Sequence, residues 1–466
     1  MPDIDMKVTL CTQRFVPPFV GGVDVYADRL QGALRQLGVE VGVIAVDTTE
    51  DGTGGDIRVT PEELGKVMIH RVRVPFASRP KEAFDLAYDS QMGTTFEAIL
   101  EAERPDLFII MNFYVTSLAV IESAKKLSIP VIHIATDFIP VCRRGTFIRW
   151  DGSPCETGES VKSCSACFVA HRSLGRMASR VLERIPEETL VRWAHNRENH
   201  QLIHPLRIIE PYLNQVAVME RRLELLAPLK EMIDLVLVPT KYTARMFLEN
   251  GFAAHQIEYL PFGMQERSLK ESVRNIPQDR IRFLFIGRLQ PYKGAHILIE
   301  AFNQLKSPNG ATLTLYGIPD GHEDYYQDLQ KKMSTNPRIV FGGRIAPEEI
   351  PSAFAGSDFF VLPSLWHENS PLILLDALQT QTPVIASNIA GVTEVVQDGV
   401  NGFIFPMGDQ RALQEVLQRV ISDPDWRHRL RREIPLPDIN DYARKLTDIY
   451  IERWGKVDAI GAQAVV

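Results

Sequence analysis

Two acids bracket the start of a strongly patterned helix in the stretch SLWHENSPLILLDALQTQTPVIAS: Glu368 just ahead of it and Asp376 inside it. Neither is needed to make a helix there. Ser370 followed by Pro371 reads as an N-cap with proline at the first helical position. Glu368 then falls in the preceding loop, and Asp376 lies about six residues in, ~9 Å along the axis. Between them a helix N-terminus presents unpaired N–H groups and partial positive charge, which suit a phosphate. An acid on the loop side can accept hydrogen bonds from hydroxyls, and one further along can hold a ribose diol. Acids near a helix start can also simply offset the dipole, so a second site has to decide.

That second site is FIGRLQPYKGAHILIEAF. A strand ends in Gly287-Arg288, and Lys293-Gly294 opens a helix. Two cations at one strand–loop–helix junction can clamp a diphosphate, and the glycines beside them let backbone come close. Gly21-Gly22, ahead of the helix VDVYADRLQGALRQLG, adds a modest anion-loop signal, without the third glycine of a dinucleotide fingerprint. Asp137 follows a strand in ATDFIP. His133 lies on that strand and reads as a core or boundary residue.

The elements that must position these residues repeat along the chain. With 466 residues the protein is too long for one core. Apolar runs such as KVTLCT, EVGVIAV, DLFIIMN, PVIHIATD and DLVLVPT alternate with helical patterns. The alternation resumes at RFLFIGRL, TLTLYG, RIVFGG, DFFVLPS, PVIAS and GFIFP. Continuous apolar strands alternating with helices make parallel sheets covered on both faces. The expected class is α/β, with two Rossmann-like doubly wound domains facing a cleft. We place the first domain at 1–268, with a Cys loop at 140–168 and a mildly basic helical insertion at about 170–230. The second spans 277–436 after the polar linker SLKESVRNIPQDR, and a last helix at 437–456 packs back on the first.

Composition excludes several classes. Hydrophobic residues make up 45% and charged residues 24%, and the net charge of -8 argues against a nucleic-acid binder. No apolar run reaches the ~18 residues of a membrane span. MPDIDMKVTL does not read as a signal peptide, so a cytoplasmic location is expected. Four of the five cysteines, Cys142, Cys155, Cys164 and Cys167, lie close together in sequence. As thiolates they would complete a structural zinc site that pins the loop; as reduced thiols they would be small apolar groups.

GRLQPYKG with LIEAF, PSLWHENSPLILLDALQTQTPVIAS and GVTEVVQDGVNGFIF together resemble the donor domain of retaining family 4 glycosyltransferases with the GT-B fold. FVPPFVGGVDVYADRLQGALRQLGVEVGVIAV resembles that family's N-terminal glycine loop, and TDFIPVCRRGTFIRWDGSPC a Cys-bearing subgroup. The resemblance implies transfer of a sugar from a nucleotide-diphosphate donor to a glycan or lipid-linked acceptor, with retention, in cell-surface polysaccharide or glycoconjugate synthesis. It implies catalytic roles for Arg288, Lys293, Glu368 and Asp137. Donor contacts would come from Gly21, Gly22, Gly287, Arg288, Lys293, Glu368, Asn369, Ser370, Pro371, Leu372 and Asp376. Asp376 stands where the family has a second Glu, and Thr136 where many members have His. No cofactor is required for transfer, since the protein supplies the cations. The basic insertion could meet the inner membrane surface, or simply cover the acceptor domain. A sugar-nucleotide epimerase and a non-catalytic nucleotide-sugar-binding regulator are the rival readings.

Overall fold

The computed structural model describes residues 6–15, 21–49, 56–75, 89–113, 116–155, 158–169, 184–198, 209–265, 280–306, 310–319, 321–430 and 434–455. The linker as far as Asp279, and most of the first helical segment expected in the insertion, lie outside the described residues. Eight strands form the sheet of the N-terminal lobe: β1 (Lys7–Gln13), β2 (Glu40–Thr49), β3 (Arg58–Leu64), β4 (Val67–Pro75), β5 (Leu107–Ile110), β6 (Val131–Ile134), β7 (Leu235–Val238) and β8 (Ile257–Tyr259). Their order is β3-β4-β2-β1-β5-β6-β7-β8. The C-terminal lobe holds β9 (Ile281–Ile286), β10 (Ala311–Tyr316), β11 (Ile339–Gly343), β12 (Phe359–Leu362), β13 (Val384–Ser387) and β14 (Gly402–Phe405), in the order β11-β10-β9-β12-β13-β14.

The central strands are buried along their whole length; β5, β6, β7, β12 and β13 have no residue facing water. Such strands need helices on both faces, which is why they pair in parallel. In each sheet the order reverses once, beside β1 and β5 in the first and beside β9 and β12 in the second. Crevices at these reversals, beyond the carboxyl ends of the strands, are where open α/β sheets bind ligands.

One pair departs from the expected all-parallel pattern. β3 runs antiparallel to β4, and all seven of its residues are exposed. RVTPEEL has no apolar alternation and carries Pro61 and two acids, the composition of a protected edge strand. In the insertion, the Glu187–Glu198 and Glu210–Met232 helices bury Leu190, Ala194, Tyr212, Leu213, Val216 and Met219 against the Val161–Val169 helix.

The final helix, Ile439–Trp454, returns to the N-terminal lobe. Its Ile439, Tyr442, Ala443 and Leu446 join the core that holds Tyr26, Leu30 and Leu34 of the Gly22–Gln36 helix. The chain enters this contact through paired backbone: Met264 N–H donates to Pro437 O at 2.7 Å, and Ile439 N–H to Met264 O at 3.0 Å. Gly263 makes the approach possible, because a Cβ there would lie 2.6 Å from Ile439 Cα. Gly263→Ala is therefore expected to cost about 1–3 kcal/mol through overpacking. Urea denaturation showing unchanged stability would contradict this packing.

Candidate active site

A cleft of ≈ 420 Å³ lies between the lobes, within the size range of small-molecule sites. The strand ends at both sheet reversals feed it. From β1 the chain reaches Gly21, the extended N-cap of the Gly22–Gln36 helix, whose N–H donates to Asp24 Oδ2 at 3.1 Å. A Cβ on Gly21 would stand 3.2 Å from Arg288 Nη2, so the missing side chain is what lets the opposite lobe's guanidinium come close. From β9 the chain passes Gly287 and Arg288 into a 3₁₀ turn over Pro291–Lys293, then Gly294, then the Ala295–Asn303 helix. Gly294 has φ +74°, and a Cβ there would fall 1.9 Å from Pro363 O. Only glycine lets this turn lie on the segment leaving β12.

That segment carries Glu368, which is 4% exposed. Three donors converge on its Oε1: Lys293 Nζ at 2.6 Å, Ser364 Oγ at 2.8 Å and Trp366 Nε1 at 2.8 Å. Among the described residues no protein donor reaches Oε2. A buried carboxylate is stable only when paired and hydrogen-bonded, and Glu368 meets that requirement through one oxygen alone.

The helix start differs from the expectation. Pro371 is the N-cap rather than the first helical residue, with ψ 113°, and the helix runs Leu372–Gln379. Proline pushes Ser370 out of the helical region, and the extended Pro371 keeps itself outside. Ser370 therefore makes no side-chain cap. Leu374 N–H already bonds Pro371 O at 2.9 Å. The N–H groups of Leu372 and Ile373 precede the first intrahelical bond, and both residues line the cleft. Asp376 is the fifth residue of the helix and buried, with its Oδ1 3.9 Å from Arg29 Nη2 of the other lobe.

All the residues expected to touch the donor border this one cleft: Gly21, Gly22, Gly287, Arg288, Lys293, the run from Glu368 to Leu372, and Asp376. Asn369, however, turns its amide to the N-terminal lobe, donating to Ala135 O and accepting from Thr243 Oγ1. Its polar atoms tie the lobes together. Asp137 is not in the lining, whereas Thr136 beside it is. The Asp137 carboxylate accepts from Ile139 N–H at 2.8 Å and Phe113 N–H at 3.2 Å. Burial pushes its pKa up to about 6, against the opposing pull of those two bonds. His133 is fully buried, bonded through Nδ1 to Ile110 O at 3.0 Å and packed on Phe113; burial lowers its pKa to about 4. It is a core residue, as expected.

The zinc expectation is not supported. Among the described residues no group of three or more His, Cys, Asp or Glu side chains is placed to hold a metal ion. Cys164 and Cys167 sit one turn apart on the Val161–Val169 helix, so their spacing is that of a helix face. Cys164 packs with the helices of the insertion, while Cys142 and Cys155 pack on a different core cluster. Burial pushes the Cys164 thiol up to about 12, with Cys142 and Cys155 adding to the rise, and burial raises Cys142 and Cys167. The loop is held instead by Arg222, which bonds Glu159 Oε1 at 2.9 Å and Ile139 O at 2.6 Å.

Arg29, Tyr292, Tyr316, Arg344 and Trp366 also line the cleft and were not expected there. Arg29 had a signal: Gly22, Tyr26 and Arg29 share one helical stripe.

Two family models match this chain: "Glycosyl transferases group 1" over residues 266–435 and "Glycosyl transferase 4-like domain" over residues 21–195. A D-inositol 3-phosphate glycosyltransferase of Nocardioides sp. is 28% identical over 208 residues, covering 41% of this chain and 45% of that protein. A lipopolysaccharide 1,2-N-acetylglucosaminetransferase of Salmonella typhimurium is 26% identical over 275 residues, covering 56% of this chain and 65% of that protein. The match thus spans about half the length of such curated relatives. The Anabaena protein HepE, solved with UDP and glucose, superposes with TM-score 0.61 at 17% identity, covering 95% of this chain and 99% of HepE, and shares the fold. With models matched in both lobes and two facing Rossmann-like sheets, the chain belongs to the family-4-like glycosyltransferases of GT-B architecture.

Proposed function

We propose that the cleft binds a nucleoside diphosphate sugar and transfers its glycosyl group, with retention, to a glycan or lipid-linked acceptor in glycoconjugate or cell-surface polysaccharide synthesis. One observation carries this reading. Arg288, the Lys293–Glu368 pair and the residues Leu372 and Ile373 at the start of the Leu372–Gln379 helix all line one small cleft. The names of the relatives support the acceptor class.

In this reading the leaving pyrophosphate gains negative charge as the glycosidic bond breaks and the sugar becomes oxocarbenium-like. Arg288, the ammonium of Lys293 and the N–H groups of Leu372 and Ile373, all on residues that line the cleft, receive that charge. Preorganised donors of this kind lower the barrier without reorganising. Glu368 Oε2 accepts from donor sugar hydroxyls while Oε1 stays locked in the protein. Asp376, one methylene shorter than the family's Glu, faces the ribose with Arg29 beside it. Asp137 supports the turn that shapes the acceptor side, and its carboxylate takes no part in proton transfer.

Incubation with UDP-glucose, GDP-mannose and ADP-glucose should raise the melting temperature for at least one donor, since binding to the native state alone stabilises it by about 2.7 kcal/mol at a hundredfold excess over Kd. No shift with any of them would count against the site. Arg288→Ala and Lys293→Ala should each lower kcat about 100-fold or more, and Glu368→Ala should lower kcat/KM about 10- to 150-fold through one lost charge-assisted bond. Near-normal kinetics in all three would sink the reading, as would donor binding with no turnover across acceptors.

Asp137 gives a pH test. Its folded pKa, about 6, lies above that of a free aspartate, so the folded state disfavours its ionised form. Native Asp137 thus lowers stability progressively as pH rises from about 4 to 6, and the deficit persists above that. Asp137→Asn loses one of the two acceptors at every pH, but between pH 4 and pH 7 its stability relative to the wild type should shift in its favour by about 1–3 kcal/mol. Parallel urea-stability profiles of the two proteins would contradict this, and a large loss of kcat in a well-folded Asp137→Asn would restore Asp137 to the chemistry.

A further inference from the structure

The charges in the cleft do not account for Trp366. Its indole Nε1–H donates to Glu368 Oε1 at 2.8 Å. Its ring lies 4.9 Å from the Lys293 ammonium, within cation–π range. Tyr292 meets the same ring edge-on, with centroids 5.4 Å apart. Trp366 also packs against the N-terminal lobe's core cluster containing Phe138 and Tyr242. One side chain therefore touches the acid, the cation and the opposite lobe.

Tryptophan suits this place for a chemical reason. Its N–H is a donor only, so it holds the carboxylate as an acceptor and cannot compete for Lys293. Its broad face takes the ammonium at the same time. Phenylalanine would keep the face and lose the N–H; leucine would lose both.

We infer that Trp366 is a positioning residue of the transfer site. It locks Glu368 Oε1 and Lys293 Nζ against each other, so that Oε2 and the remaining ammonium protons face the donor. It also ties that arrangement to the N-terminal lobe, on whose core its ring packs. The inference rests on the reading of the cleft as a nucleoside diphosphate sugar site.

The test compares wild type, Trp366→Phe and Trp366→Leu, using whichever of UDP-glucose, GDP-mannose and ADP-glucose stabilises the wild type most. Trp366→Phe should stay folded with a melting temperature lowered by a few degrees, as expected for one lost hydrogen bond to a buried carboxylate, and should keep its donor KM within about threefold, while kcat falls about tenfold or more because Glu368 and Lys293 are no longer held in register. Trp366→Leu should lose more kcat and raise donor KM as well. Tryptophan emission should change when the donor binds to the wild type, and most of that change should vanish in Trp366→Phe although the donor still stabilises it. Should Trp366→Leu fail to fold, the Phe variant decides alone. A kcat within twofold of wild type in Trp366→Phe, or an undiminished emission change, overturns the inference while leaving the donor site standing. Failure of every donor to stabilise the wild type would instead remove the site itself.

Discussion

The buried carboxylate of Glu368 constrains everything around it. An acid almost closed to water must be satisfied where it stands, and here Lys293, Ser364 and Trp366 satisfy it at a single oxygen. Ser364 and Trp366 come from the segment leaving β12, while Lys293 comes from the turn after β9. The pair can form only because β9 and β12 are neighbours at the reversal of the second sheet, and because Gly294 lets the β9 turn lie against Pro363. Strand order, a left-handed glycine and a buried ion pair are thus one arrangement. Removing either partner of such a pair costs far more than the pair contributes, since the other charge is left buried alone.

The same short stretch also forms the seam between the lobes. Asn369 bridges Ala135 and Thr243, and Leu375 enters the core around Tyr26. Nearby, Glu394 accepts from Lys241 N–H at 2.9 Å and Tyr242 N–H at 3.0 Å, capping the Lys241–Glu249 helix of the other lobe. Residues that face the cleft therefore alternate with residues that grip the N-terminal lobe.

Much of this was legible in the residues themselves. The apolar runs of β1, β5, β9 and β12 announce buried parallel strands, and cations or acids placed just past strand ends announce a crevice. What stayed hidden has identifiable causes. The ψ of Pro371 is not written in its neighbours, so the helix start was placed one residue early. RVTPEEL lacks a period-two pattern, so β3 gave no signal. Trp366 reaches Lys293 and the core of the N-terminal lobe across long stretches of chain, and no local pattern carries that. The pair Cys164 and Cys167, spaced like a metal knuckle, lies on one face of the Val161–Val169 helix, and helical spacing alone explains it.

The central claim is that a pyrophosphate rests between Arg288, Lys293 and the first N–H groups of the Leu372–Gln379 helix. A crystal structure of the protein with a bound nucleoside diphosphate tests it most directly. The β-phosphate is expected within hydrogen-bond distance of Arg288 and Lys293 and of Leu372 or Ile373 N–H, with the ribose beside Asp376. A diphosphate bound elsewhere, or bound in the cleft without contact to either cation, would contradict it.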